Sequence, residues 1–518
     1  MIAVVPSATL TGAVGRSVSV EVHVSNGLPA FTVVGLPDAA VRESRDRVRA
    51  ALLSSGLVWP LRRVTVNLAP SGVRKGGAGL DLPIAIGLLA ASGELPSDAA
   101  SDVAFIGELG LDGTLRHVPG VVALADCATG STLVVPAVDG TEALAVRPGD
   151  VRLARTLSEV VEALKGTRRW APIPAVPPGS ARGHPSEPPH TDGHAQGRPL
   201  DLGDVRGQRL GRRALEVAAA GGHHLLLVGP PGSGKTMLAA RLPGLLPDLS
   251  RSESLEVSRV HSAAGVPLGD AGLIGRPPFR APHHGASAVS MVGGGTRSMR
   301  PGEISLAHEG VLFLDEMGEF PAAVLDALRQ PLEEGVVRVS RARGTMSYPA
   351  RFLLVGAMNP CPCGEGGAPG ECRCSEAARA RYAQRVSAPL LDRFDLAVSL
   401  GRPDPEELLS GQPGEPTALV AERVRGVRAL ALARGVRSNG ELAPSELERC
   451  APLGAAAAGL LERRLRSGAL SARGLHRLHR VARTIADLAG SAAVDECHMA
   501  EALALRAGRA ALAIGGVR

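Results

Sequence analysis

Lysine is nearly missing from this 518-residue chain. It occurs only at Lys75, Lys165 and Lys235, so arginine carries almost all of the basic charge behind a formal net charge of +6. In an Arg-, Ala- and Gly-rich composition such basicity points only weakly to a polyanionic partner. Long apolar runs are missing too: no stretch of about eighteen apolar residues occurs, which argues against a membrane-spanning helix. The opening MIAVVPSATLTGAVGRS has no charged stretch ahead of an apolar core. A cytoplasmic protein without membrane association is expected. Cysteine is sparse, at seven residues, yet Cys361, Cys363, Cys372 and Cys374 fall in one short stretch. In a reducing compartment, paired cysteines mean metal more often than disulfide.

What is present supports a multidomain α/β protein. The 45% hydrophobic content can fill more than one core. SVSVEVHV alternates with Val18, Val20, Val22 and Val24 on one face, and RRVTVNL repeats the pattern, so both read as half-buried strands. The segments 38–56 and 80–93 between and after them read as helices, giving an α+β N-terminal domain over residues 1–166. Residues 167–199 are Pro- and Gly-rich with too few apolar residues for a core, and read as a linker. Three short apolar runs follow, HLLLV before Gly229, VLFL before Asp315 and FLLVGAM before Asn359, as expected of a buried parallel sheet over residues 200–401. Residues 402–518 are Ala-, Leu- and Arg-rich, with Leu475, Leu478, Ala482, Ile485 and Leu488 at helical spacing, and read as a helical domain.

The chemistry concentrates in the middle section. GPPGSGKT, from Gly229 through Pro230, Pro231, Gly232, Ser233, Gly234 and Lys235 to Thr236, has phosphate-loop spacing directly after a strand. Its glycines free backbone N–H groups for phosphates, Lys235 neutralises the β and γ oxygens, and Thr236 can ligate Mg²⁺. The pattern predicts ATP and Mg²⁺ as cofactors. VLFLDE delivers Asp315 and Glu316 to the carboxyl edge of the same sheet, Asp315 to hold the metal through water and Glu316 to deprotonate the attacking water. Asn359 ends the third strand, where its amide can polarise that water. Arg393, in PLLDRFD, can reach a neighbouring subunit and stabilise charge on the transferring phosphoryl group.

This motif series resembles an AAA+ ATPase. The stretch from Pro278 to Glu316 resembles the magnesium-chelatase-like branch, and MNPCPCG together with SARGLHRLHRVARTIADLAG narrows the resemblance to the YifB/ComM family. The resemblance implies that Asn359 is sensor 1, Arg393 the arginine finger and Arg473 the sensor 2 arginine of a helical lid, with Arg477 a substitute for that last role. It also implies a homo-hexamer that couples ATP hydrolysis to movement on single-stranded or branched DNA, as in branch migration during recombination of incoming DNA. A metal-chelatase motor subunit and a protein-remodelling partner of a separate protease are the competing readings.

Three further segments carry expectations. PHHGASAVSMVGGGTRSMRPGE reads as an insert before the acidic strand, with His283 and His284 as loop or insert contacts. EEGVVRVSRARGTMSYPARF reads as a β-hairpin whose Arg338, Arg341 and Arg343 can track a phosphate backbone. The N-terminal segments around APSGVRKGGAG and LRHVPGV resemble Lon-type proteolytic domains. They carry Gly77 where that family has its serine and no lysine base, so peptidase activity is not expected. Four thiolates at Cys361, Cys363, Cys372 and Cys374 can close a structural Zn²⁺ shell bracing the segment between Asn359 and Arg393. Metal-free thiols, an iron–sulfur cluster and a redox disulfide stay open as alternatives.

Overall fold

A computed structural model describes the chain except residues 97, 173–199, 296–298, 342–343, 366–371, 411, 469 and 509–518. Most of the expected linker therefore lies outside the described residues. No helix among the described residues is long and apolar enough to cross a membrane.

The N-terminal region holds a four-stranded sheet in the spatial order Ile2–Thr11, Val14–Ser25, Arg63–Ala69, Ala30–Val34. Val18, Val20, Val22, Val64, Val66 and Leu68 all fall on its buried face. A one-residue slip in register would turn that whole set to solvent, so the alternation fixes the pairing. The apolar stretch after Leu80 forms helix Asp81–Ser92, stopped by Gly93 in the left-handed region, and it packs on this face. Helix Ala39–Ser54 is started by Asp38, whose carboxylate accepts from the Val41 N–H at 2.9 Å. A second, three-stranded parallel sheet, Val103–Phe105, Thr132–Pro136 and Val151–Ala154, completes the region.

The middle section is a five-stranded sheet, wholly parallel, in the order Phe279–Arg280, Gly310–Leu314, Phe352–Met358, Leu225–Val228, Leu396–Ser399. The three inner strands are the three apolar runs. They are buried on both faces, which is why they read as continuous rather than alternating. The two outer strands carry no such signature. Leu478, Ala482 and Ile485 of helix Ala472–Leu488 sit in one hydrophobic cluster with Leu225, Val355 and Val398, so the C-terminal helices share the core beneath the sheet.

The N-terminal and middle regions are in contact. Arg259 pairs with Asp126, Ser262 Oγ donates to Glu142 at 2.8 Å, and Ala13, in the turn between the first two strands, enters the core that holds Tyr348.

Candidate active site

Parallel pairing brings the chemistry to one edge. Leu314 pairs with Gly356 and Val228 with Met358, so Gly229, Asp315 and Asn359 leave the sheet side by side at its carboxyl ends. This is where open parallel sheets bind ligands. The loop itself needs glycine: Gly232 and Gly234 have φ of +78° and +84°. Lys235 opens helix Lys235–Ala239, and its ammonium donates to the carbonyls of Gly229 at 2.7 Å and Pro230 at 2.9 Å and to Asn359 Oδ1 at 3.2 Å. Burial lowers the Lys235 pKa, and the charges of Asp315 and Glu316 oppose that shift.

Thr236 Oγ1 donates to Asp315 Oδ2 at 2.6 Å. A hydroxyl and a carboxylate this close form the hard-oxygen donor set that suits Mg²⁺, so these two residues fit the metal expected from the motif. Glu316 follows in the left-handed region at φ +49°, its N–H donating to Asp315 Oδ1 at 2.9 Å. For a residue with a Cβ that conformation costs roughly 1–2 kcal/mol, a strain of the kind concentrated at functional sites. Its carboxylate is half exposed and lies 3.3 Å from His284 Nδ1.

Arg393 stands elsewhere. It precedes the outer strand, whose Leu396 pairs with Leu225 at the amino end of the phosphate-loop strand. The four residues of that strand put roughly 13 Å of sheet between Arg393 and the edge carrying the phosphate loop. Arg393 ion-pairs with Glu333 and is largely buried. Burial first, and then the cationic neighbours Arg477, Arg473 and Arg329, push its guanidinium below the ordinary value. Arg477 donates to the Arg393 carbonyl at 2.7 Å and to Asp395 Oδ1 at 3.2 Å. Arg473, exposed on the first turn of helix Ala472–Leu488, is near enough for its charge to act on the Arg393 guanidinium.

The cysteines converge. Cys361 Sγ lies 3.2 Å from Cys363 Sγ and 3.7 Å from Cys372 Sγ, with 3.7 Å between the latter two, and all four sulfurs fall within 4.8 Å of one another. A tetrahedral shell with Zn–S bonds of about 2.3 Å has sulfur–sulfur edges of about 3.8 Å, so the donor set fits zinc. The separations are too long for a disulfide. The Glu365 N–H, then the neighbouring thiols, lower the Cys363 pKa to about 6. The loop leans on the phosphate loop: a Cβ on Gly364 would come within 2.7 Å of Pro231 Cδ, and Glu365 pairs with Arg402 at 2.6 Å.

The basic hairpin forms as strands Val336–Arg341 and Gly344–Pro349, with Val337 and Val339 buried. Arg338 is half exposed and pairs with Glu334, Arg341 ends the first strand, and Arg343 lies outside the described residues. Two residues of the site carry no signal in the sequence. Gln208, at φ +48°, donates to the Ser233 carbonyl at 3.0 Å and the Gly401 carbonyl at 2.8 Å, tying the phosphate loop to the outer strand. His284 reads from sequence only as a loop or insert residue, and its contact to Glu316 emerges from the fold.

Fold and site together define a P-loop nucleotide-binding protein. Family models described as "Magnesium chelatase, subunit ChlI", "Subunit ChlI of Mg-chelatase" and "Magnesium chelatase, subunit ChlI C-terminal" match residues 201–408, 20–139 and 414–506. Competence protein ComM of Haemophilus influenzae is 43% identical, covering 98% of this chain and 97% of its own. YifB of Escherichia coli is 43% identical over 95% of this chain and 94% of its own, and a protein of Mycobacterium tuberculosis is 45% identical over 96% and 97%. The chain belongs to the YifB/ComM family of magnesium-chelatase-like AAA+ ATPases.

Proposed function

We propose that the chain is an ATP hydrolase that works as a ring, most simply a homo-hexamer, and couples turnover to movement on single-stranded or branched DNA. The observation that carries the hydrolase reading is the convergence of Lys235, Thr236, Asp315, Glu316 and Asn359 on one sheet edge. In this reading the Gly229–Thr236 loop and Lys235 hold the phosphates. Thr236 and Asp315 hold Mg²⁺, which supplies charge neutralisation at the phosphate oxygens when bound. Glu316 takes the proton of the attacking water, and Asn359 orients that water.

The place of Arg393 supports the ring reading. Arg393 lies on the opposite edge of the sheet from the phosphate loop, so its guanidinium serves a neighbour's nucleotide, with Arg473 beside it acting on the same side. The cysteine cluster is a structural Zn²⁺ clip in this reading. Its position against Pro231 makes it a brace for the phosphate loop, a different load from the Asn359-to-Arg393 link expected from sequence.

DNA as the track is supported by the Arg-bearing hairpin and by full-length similarity to a protein named for competence. Curated magnesium-chelatase subunits match at 26% identity over only 40–41% of this chain, which favours the DNA reading over a chelatase motor. The test is strand movement on a forked or four-way DNA substrate with ATP. Movement that stops in Lys235→Ala supports the reading, and ATP turnover without any movement or DNA binding refutes it.

A further inference from the structure

The turn that follows Glu316 is held from a distant part of the chain. Met317–Glu319 forms a short 3₁₀ turn, closed by the Glu319 N–H donating to the Glu316 carbonyl at 2.7 Å. Met317 is fully buried in the cluster that also holds Tyr382 and Met358. Gly318, next in line, is buried but not left-handed, so its backbone does not call for glycine. Space does: a Cβ there would come within 2.9 Å of Cζ and of the hydroxyl oxygen of Tyr382, and within 3.1 Å of Cε2. The tyrosine ring lies directly on the glycine.

Tyr382 belongs to helix Glu376–Ala383, which is capped by Ser375, the residue after Cys374. The Ser375 hydroxyl accepts from the Ala378 N–H at 3.2 Å, and Tyr382 is the buried side chain of the helix. Beyond the helix, Arg385 donates to the Gly318 carbonyl at 3.1 Å and to Glu319 Oε2 at 2.6 Å, securing the polar side of the same turn. Burial and then the Glu319 charge push the Tyr382 phenol up to about 12, while the Asn359 N–H opposes them. The ring therefore bears on the exits of two strands, one leading from Glu316 and one at Asn359.

We propose that Tyr382 is a positioning residue whose ring, seated on Gly318, keeps Glu316 in the left-handed conformation that directs its carboxylate to the attacking water. This rests on Glu316 being the base of the proposed hydrolase. For a residue with a Cβ, the cost of that conformation corresponds to a factor of about five to thirty in population, so it persists only where the surroundings hold it. The phosphates are held by the separate Gly229–Thr236 loop, so the contact governs turnover rather than binding.

Steady-state ATP turnover beside nucleotide binding tests this on the full chain. Tyr382→Ala is expected to lower kcat about five- to thirtyfold at unchanged nucleotide affinity. Tyr382→Phe keeps the ring on Gly318 and is expected to stay within about twofold of wild type. Gly318→Ala drives a methyl group against the ring and is expected to lower kcat about as much as Tyr382→Ala. In the double variant the space is open, so its kcat should be no lower than that of either single variant. Multiplied losses in the double variant, or near-wild-type kcat in Tyr382→Ala beside an inactive Glu316→Gln, overturn the positioning role while the hydrolase reading stands. If Tyr382→Ala does not fold, Gly318→Ala decides alone: kcat lost with affinity kept supports the contact, and wild-type kcat overturns it. Normal hydrolysis by Glu316→Gln removes the base assignment and the positioning role together.

Discussion

The Thr236 hydroxyl donates to the Asp315 carboxylate at 2.6 Å, joining two residues that stand 79 positions apart in the chain. Both are hard-oxygen donors, and both sit where the phosphate loop and the acidic strand leave the sheet. Thr236→Val and Asp315→Asn should each raise the Mg²⁺ concentration needed for half-maximal turnover by about tenfold or more. A magnesium titration of ATPase rate checks this, and an unchanged midpoint contradicts it.

Binding and hydrolysis should separate cleanly. Lys235→Ala removes the ammonium that Gly229, Pro230 and Asn359 hold in place, and should lose nucleotide affinity. Glu316→Gln should bind ATP normally but turn it over about 10²- to 10⁴-fold more slowly. Fluorescent-nucleotide binding beside a phosphate-release assay distinguishes the two.

Because Arg393 lies on the far edge of the sheet, Arg393→Ala should cut kcat by about 10³-fold with nucleotide binding retained. Mixing Arg393→Ala subunits with Glu316→Gln subunits should restore part of the activity, since some interfaces then pair an intact glutamate with an intact arginine. Two inactive proteins that stay inactive on mixing would place Arg393 outside the catalytic interface.

The cysteine loop should hold metal and steady the phosphate loop. Purified protein should contain about one zinc per chain, and Cys372→Ser should lose it together with nucleotide affinity. Gly364→Ala, which adds a Cβ 2.7 Å from Pro231 Cδ at a backbone φ of +85°, should weaken nucleotide binding. Metal analysis and nucleotide titration on the same samples check both.

Acid should loosen the core beneath the insert. His261 is buried, with Nε2 2.8 Å from the Leu306 carbonyl, and burial lowers its pKa from 6.5 to about 4. The fold therefore keeps the ring neutral while the unfolded chain takes up a proton below pH 6.5. The stability contribution is complete above that value and is lost as pH falls toward 4, by about 3 kcal/mol in all. Denaturant unfolding at about pH 7 and about pH 5 should show about 2 kcal/mol more loss in wild type than in His261→Gln.

The sequence exposed the parts of this site that obey local rules. Gly229–Thr236, Asp315 and Asn359 each follow an apolar run, and parallel pairing of those runs was enough to bring them together. The edge strand Phe279–Arg280 and the outer strand Leu396–Ser399 were invisible because two to four residues carry too little periodicity. His284 and Gln208 escaped for another reason: their contacts depend on where a neighbouring strand ends, and spacing along the chain does not encode that. The cysteine spacing suggested a metal clip, but the closeness of Gly364 to Pro231 emerged only from the folded chain.

The most direct test of the whole account is ATP turnover by the wild-type chain with no DNA, with single-stranded DNA and with forked DNA, at low and high salt. The account predicts stimulation by DNA that fades as salt rises, because phosphate contacts through arginine release counterions. Turnover that ignores DNA at every salt concentration, with no salt-sensitive DNA binding, would contradict it.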